Sequence, residues 1–134
     1  MFVAKSETLP VRTEQDIVVV RQTVRKLAQK ASFSLVDQTK IVTAASELAR
    51  NTVVHGGGGS MQWEVIQDGG RTGLRLTFED QGPGISNLEF AMMDGWTTGA
   101  GLGMGLSGSK RLVNEFEIFS EPNKGTRVTI ARWK

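Results

Sequence analysis

Apolar positions recur at helical spacing in two stretches near the start of the chain. From about Glu14 to Ala31, Ile17, Val20, Val24, Leu27 and Ala28 fall on one side of a 3.6-residue period, with Thr13 placed to cap the start. The β-branched run Val18-Val19-Val20 works against a helix here, but the period favours one. From about Val36 to Val54 the buried stripe is Ile41, Ala45, Leu48 and Thr52, with Ala49 beside it, and Gly56 to Gly59 must end that helix. The period then drops to two. Met61, Trp63 and Val65 alternate, as do Leu74, Leu76 and Phe78, and Asp68-Gly69-Gly70 lies between them as a hairpin turn.

The rest is read more coarsely. Leu9 to Thr13 suits an edge strand. Asp80 to Ile85 reads as a turn, Asn87 to Met93 as a short helix and Gly95 to Gly103 as an aperiodic loop. A third helix is expected from about Gly105 to Glu115. Phe116 to Ser120 and Thr126 to Arg132 form a last strand pair across Pro122-Asn123-Lys124-Gly125. The predicted fold is α+β: a two-layer α/β sandwich, with helices on one face of a mixed, mostly antiparallel sheet. One domain over residues 1–134 accounts for the whole pattern.

Composition narrows the chemistry. There is no cysteine, so disulfides, thiolate metal sites and cysteine nucleophiles are excluded, and a reducing cytoplasm suits the chain. The single His55 cannot build a multi-histidine metal site. No segment has the roughly 18 apolar residues of a membrane helix, and Met1 to Pro10 lacks the apolar run of a signal peptide, so no membrane partner is expected. Net charge is +2, from 16 basic and 14 acidic residues spread along the chain, which gives no basis for nucleic-acid binding. The unusual count is 16 glycines, most of them in clusters.

Three segments carry candidate chemistry. Glu47 and Asn51, at i and i+4, share one helix face. A carboxamide oxygen suits Mg²⁺ and a carboxylate can accept a proton, although a solvated polar pair reads the same way. Asp80 stands where a half-buried strand leaves the sheet, and a buried carboxylate needs donors. The exocyclic amine of adenine is one such donor, and Gly82 and Gly84 let a backbone approach a base closely; the alternative is an ordinary Asp-Gly-Pro turn. Gly99, Gly101, Gly103 and Gly105, with Leu102 and Met104 between them, form a ribbon before a helix. Exposed backbone N–H groups there suit phosphate, as against a plain surface loop. Lys110 and Arg111 follow, facing either phosphate or solvent. No Gly-Lys-Ser/Thr completes a Walker loop.

The ordered set Glu47-x-x-x-Asn51, Asp80-x-Gly82-x-Gly84, Gly101-x-Gly103-x-Gly105 and Gly125-Thr126 resembles the Bergerat-fold (GHKL) ATPases and kinases. Within that group the chain is similar to the small bacterial serine/threonine kinases of partner-switching systems, the stressosome switch kinases above all. Ser46 to Asn51, Glu79 to Ile85, Gly95 to Gly99 and Lys110-Arg111-Leu112 carry that likeness.

The resemblance implies ATP and Mg²⁺ as cofactors, Glu47 as catalytic base and Asn51 as metal and nucleotide ligand. It implies that Asp80 binds the adenine amine with Thr126 supporting through a water, that Gly82 and Gly84 flank the base, and that Gly101, Gly103 and Gly105 form a phosphate-side lid, with Gly99, Leu102 and Met104 also at the nucleotide. Arg21 matches the partner-docking arginine of relatives. The implied substrate is a hydroxyl on a STAS-domain protein, with a downstream phosphatase as a further partner and a stress-response setting.

Relatives acting as anti-sigma factors carry a longer lid with an arginine before the ribbon. Here Thr97-Thr98-Gly99-Ala100 has no basic residue, which argues against tight ATP retention and direct sigma-factor sequestration. A nucleotide-gated binding module of the anti-sigma type is the alternative expectation. A histidine-kinase catalytic domain and a clamp ATPase fit less well, since the chain shows no dimerisation helix pair and no transducing domain.

Overall fold

The computed structural model describes residues 1–85, 92 and 106–134. Strand β1 (Phe2–Val11) leads into helices α1 (Glu14–Lys30) and α2 (Leu35–Val54). Strands β2 (Gly59–Asp68) and β3 (Arg71–Asp80) follow as a hairpin, and helix α3 (Leu106–Arg111) precedes β4 (Glu115–Ser120) and β5 (Thr126–Trp133). The strands form a five-stranded sheet in the order β1-β2-β3-β5-β4. All four pairings are antiparallel, so the mostly antiparallel expectation holds without a parallel pair among the described strands.

Local chemistry sets the helix starts. The Thr13 hydroxyl accepts from the Asp16 N–H at 3.1 Å, and Asp16 Oδ2 accepts from the Thr13 N–H at 3.2 Å, which closes a capping box. Ser34 caps α2 by accepting from the Asp37 N–H at 3.1 Å. Both helices turn their apolar stripes to the sheet. Ile17, Val20, Val24 and Ala28 are buried on α1, with Leu27 packed at the edge of the core. Ile41, Val42, Ala44, Ala45, Leu48, Ala49 and Thr52 are buried on α2.

Residues directly opposite in an antiparallel ladder share a face. The registers therefore lay out rows across the sheet under the helices. One row is Trp63–Leu76–Ile130–Phe116, and the next is Leu9–Met61–Phe78–Val128–Ile118. The opposite face is polar: Arg75 forms a two-pronged pair with Glu64 at 2.7 and 3.0 Å, and Thr77 and Thr129 meet across the β3–β5 ladder.

Two elements differ from expectation. β1 extends from Phe2 rather than Leu9, because ten-residue β2 offers a ladder along its whole length, with a bulge between Val3 and Lys5. Its exposed polar residues hide the strand from a period count. α3 ends at Arg111 rather than near Glu115. The Leu112 N–H turns back to the Ser109 carbonyl at 3.1 Å, and the Asn114 N–H already bonds the Ala131 carbonyl at 2.9 Å, so the chain has left the helix for the sheet. The expected helix at Asn87 to Met93 and the loop at Gly95 to Gly103 lie outside the described residues, apart from Met92.

Candidate functional site

A third row follows the two apolar ones: Val11–Gly59–Asp80–Thr126–Ser120. Asp80 thus continues the inward register of Leu74, Leu76 and Phe78 and is itself 9% exposed. An apolar stripe ends on a carboxylate, and its neighbours across two strands are hydroxyls. Gly59 places no side chain beside it.

Burial pushes the Asp80 carboxyl above the ordinary carboxylate range. N–H groups of Gly82 and Thr126 pull the other way, and the negative Glu79 next door adds to the rise. Asp80 Oδ1 accepts from the Gly82 N–H at 2.9 Å. The site therefore holds an acceptor group whose charge is under-compensated.

Glycine backbones pack around this carboxylate. Gly56, two residues past α2, lies so close that a Cβ there would overlap the Asp80 carboxylate. A Cβ on Gly82 would come within 2.7 Å of the Gly56 Cα, and one on Gly125 would strike the Asp80 carbonyl. Gly125 (φ 83°) and Gly84 (φ 74°) hold left-handed conformations that also favour glycine.

Gly56 links this end of the sheet to α2. The Asn51 carbonyl accepts from the N–H groups of His55 at 2.9 Å and Gly56 at 3.1 Å, and the Gly58 N–H bonds the Thr52 carbonyl at 2.8 Å. Asn51 and Asp80, 29 positions apart in sequence, are thereby tied through one residue. Glu47 lies a turn earlier on the same helix, and both Glu47 and Asn51 are half-buried.

The Gly82-Pro83-Gly84 turn is fastened to the β4–β5 turn. The Asn123 N–H donates to the Pro83 carbonyl at 2.7 Å, and the Ile85 N–H donates to Ser120 Oγ at 2.8 Å. Ser120 Oγ also lies 3.0 Å from the Gly125 carbonyl and 2.9 Å from Thr126 Oγ1.

The structure thus brings Asn51, Asp80, Gly82, Gly84 and Thr126 to one end of the sheet. Arg21 is exposed on α1. Gly99, Gly101, Leu102, Gly103, Met104 and Gly105 lie outside the described residues. Lys110 and Arg111 are exposed at the end of α3. Gly56 and Ser120 also lie at this end of the sheet, and neither carries a distinguishing signal in the sequence. Gly56 sits inside a run of four glycines that reads as a helix stop, and Ser120 becomes visible only once β4 is registered against β5.

Among the described residues no group of three or more His, Asp or Glu side chains gathers in one place. That donor set does not make an all-protein metal cage. It fits a cation carried in on phosphate oxygens and water, with one carboxamide added.

The family model described as "Histidine kinase-, DNA gyrase B-, and HSP90-like ATPase" matches residues 36–134. The chain belongs to this family of nucleotide-binding ATPases and kinases. It is 45% identical over 123 residues to the serine/threonine-protein kinase RsbT of Bacillus subtilis, covering 92% of each chain. It is 31% identical to the anti-sigma F factor of a Geobacillus species, covering 84% of this chain and 81% of that protein. The crystal structure of the RsbU and RsbW domains of a Mycobacterium tuberculosis protein shares the fold, with a TM-score of 0.67 at 21% identity. That match takes in 96% of this chain and 32% of the solved one, so the chain spans about a third of that structure's length. No described helix is long and apolar enough to cross a membrane.

Proposed function

We propose that the protein is an ATP-dependent serine/threonine kinase. It phosphorylates a hydroxyl on a STAS-domain partner in a bacterial stress-response pathway and exchanges binding partners as it does so. The observation that carries this reading is the meeting of Asn51 and Asp80 through Gly56. A candidate metal ligand and a candidate purine acceptor, far apart in sequence, reach the same end of the sheet. The 45% identity to a protein named a serine/threonine kinase supports the same conclusion.

Each residue then has a role. The Asp80 carboxylate accepts from the adenine amine, with Thr126 beside it, and the glycines at 82 and 84 leave room for the base. The ribbon from Gly99 to Gly105 covers the phosphates. Asn51 supplies an oxygen to Mg²⁺, which neutralises phosphate charge when bound. The partner's hydroxyl oxygen bonds to the γ-phosphorus as the bond to the bridging β–γ oxygen breaks. Glu47 orients that hydroxyl and takes its proton, leaving ADP and a phosphoester. Phosphoryl transfer runs through a loose transition state, so positioning supplies most of the acceleration. Arg21, exposed on α1, docks the partner, and a downstream phosphatase is a second candidate for the same surface. The chain works in the cytoplasm.

Incubation with γ-labelled ATP and STAS-domain proteins from the same source tests the proposal. Label should move to a serine or threonine of one of them, and a complete failure of transfer across that set would overturn the kinase reading. The likeness to anti-sigma F factors favours a second reading, a nucleotide-gated binding module. It predicts ATP-dependent partner capture without transfer.

A further inference from the structure

We propose that Ser120 sharpens purine specificity by fixing the Thr126 hydroxyl as a hydrogen-bond acceptor. The inference rests on the adenine reading above and deepens it. The argument is one of counting protons. A serine hydroxyl has one proton to donate and two lone pairs. Ser120 Oγ has three partners: the Ile85 N–H at 2.8 Å, the Gly125 carbonyl at 3.0 Å and Thr126 Oγ1 at 2.9 Å. The Ile85 amide must donate. The Gly125 carbonyl can only accept, so it takes the Ser120 proton; otherwise two oxygens would face each other at 3.0 Å with no hydrogen between them. Thr126 is then left to donate its own proton to Ser120.

Once that proton is committed, Thr126 Oγ1 has only lone pairs to offer. It sits directly across the β3–β5 ladder from Asp80, whose carboxylate is likewise an acceptor. Two acceptors side by side match a group with two N–H donors. The 6-amino group of adenine has two; the 6-oxo group of guanine or hypoxanthine has none. Asp80 alone would favour the amine, and the polarity imposed by Ser120 prevents Thr126 from rotating its proton toward a 6-oxo purine.

The test compares binding of ATP and inosine triphosphate, both with Mg²⁺, by displacement of a fluorescent ATP analogue. The wild-type protein should prefer ATP. Ser120→Ala frees the Thr126 proton and should cut the ATP-to-ITP affinity ratio by about five- to tenfold, the worth of one hydrogen bond. Ser120→Thr keeps the hydroxyl and should keep the ratio. A purely structural role would lower both affinities together, so a folded Ser120→Ala protein with the wild-type ratio would overturn the proposal. If circular dichroism shows that Ser120→Ala does not fold, Ser120→Cys decides. Its thiol is a weak donor and acceptor that holds the Thr126 proton poorly, so a narrowed ratio supports the inference and an unchanged one defeats it. A wild-type protein that binds neither nucleotide sinks the adenine reading itself, which is a separate outcome from an unmoved ratio.

Discussion

The Gly56 backbone rests directly against the Asp80 carboxylate, leaving no room for a side chain between them. Gly56 does not hold a left-handed conformation, so the constraint at this position is purely one of space. Gly56→Ala should therefore act through Asp80. We expect a stability loss of about 1–3 kcal/mol from overpacking, together with a loss of nucleotide affinity larger than the stability change explains. Thermal melts and equilibrium binding on the same preparation check this. An alanine variant with unaltered affinity would place the nucleotide elsewhere.

Asp80→Asn should separate stability from binding. Burial raises the folded-state carboxyl above its ordinary 3.8. A raised folded pKa means that its favourable contribution is complete below the unfolded value and is lost as pH climbs through the folded one. The wild-type protein without nucleotide should thus lose stability against Asp80→Asn as pH rises from about 3.8, with the gap levelling off above the raised folded value. At pH 7 the variant should melt higher and bind ATP more weakly. Parallel pH profiles of the two proteins would reveal the divergence, and superimposable profiles would refute it.

Glu47→Ala should leave ATP binding close to wild type and lower phosphoryl transfer about 10²- to 10⁴-fold, the usual worth of a positioned base. Partner capture should persist in this variant. Transfer at the wild-type rate would exclude Glu47 as the base.

Asn51→Ala should lower ATP affinity in Mg²⁺ and change it little in EDTA. The wild-type ratio of the two affinities is the quantity to compare. Equal losses in both buffers would mean that Asn51 supports the helix end rather than the cation.

Asp37 and Arg132 form a partly buried pair at 2.6 Å, and Arg132 also donates to the Leu112 carbonyl at 2.9 Å. The pair joins the first turn of α2 to β5 and to the segment just after α3. The Arg132 hydrogen bond holds the Asp37 carboxyl below its ordinary range, against the opposing effect of burial. Its stabilisation is present above the unfolded value of 3.8 and disappears as pH falls through the lower folded value. Arg132→Met should cost about 1–2 kcal/mol at neutral pH, less than a fully buried pair because Asp37 keeps contact with water. Denaturant melts at pH 7 and near pH 3 would show the cost shrinking at the acid end.

Much of this architecture is legible without coordinates, for identifiable reasons. Ile17, Val20, Val24 and Ala28 repeat at the helix period and are buried as that period requires. Leu74, Leu76 and Phe78 repeat at the strand period, and extending that count by two reaches Asp80, which is why its inward position can be foreseen. Ser120 could not be found this way. Its importance comes from lying opposite Thr126 on a neighbouring strand, and register is not written in local sequence. The extent of β1 was hidden for a related reason: its exposed Lys5, Ser6 and Glu7 carry no apolar alternation. The end of α3 is illegible in the same way, because helix spacing says nothing of the bond from Asn114 to Ala131 that draws the chain into the sheet.

The apolar stripe of β3 that ends on Asp80 has a consequence for how ligand binding and folding are linked. Asp80 is buried, and the N–H groups of Gly82 and Thr126 offset its charge only in part. A ligand that donates to it stabilises the folded state by mass action, by about 2.7 kcal/mol when present at a hundred times its dissociation constant. The melting temperature should then climb with the concentration of a nucleotide held at this acceptor.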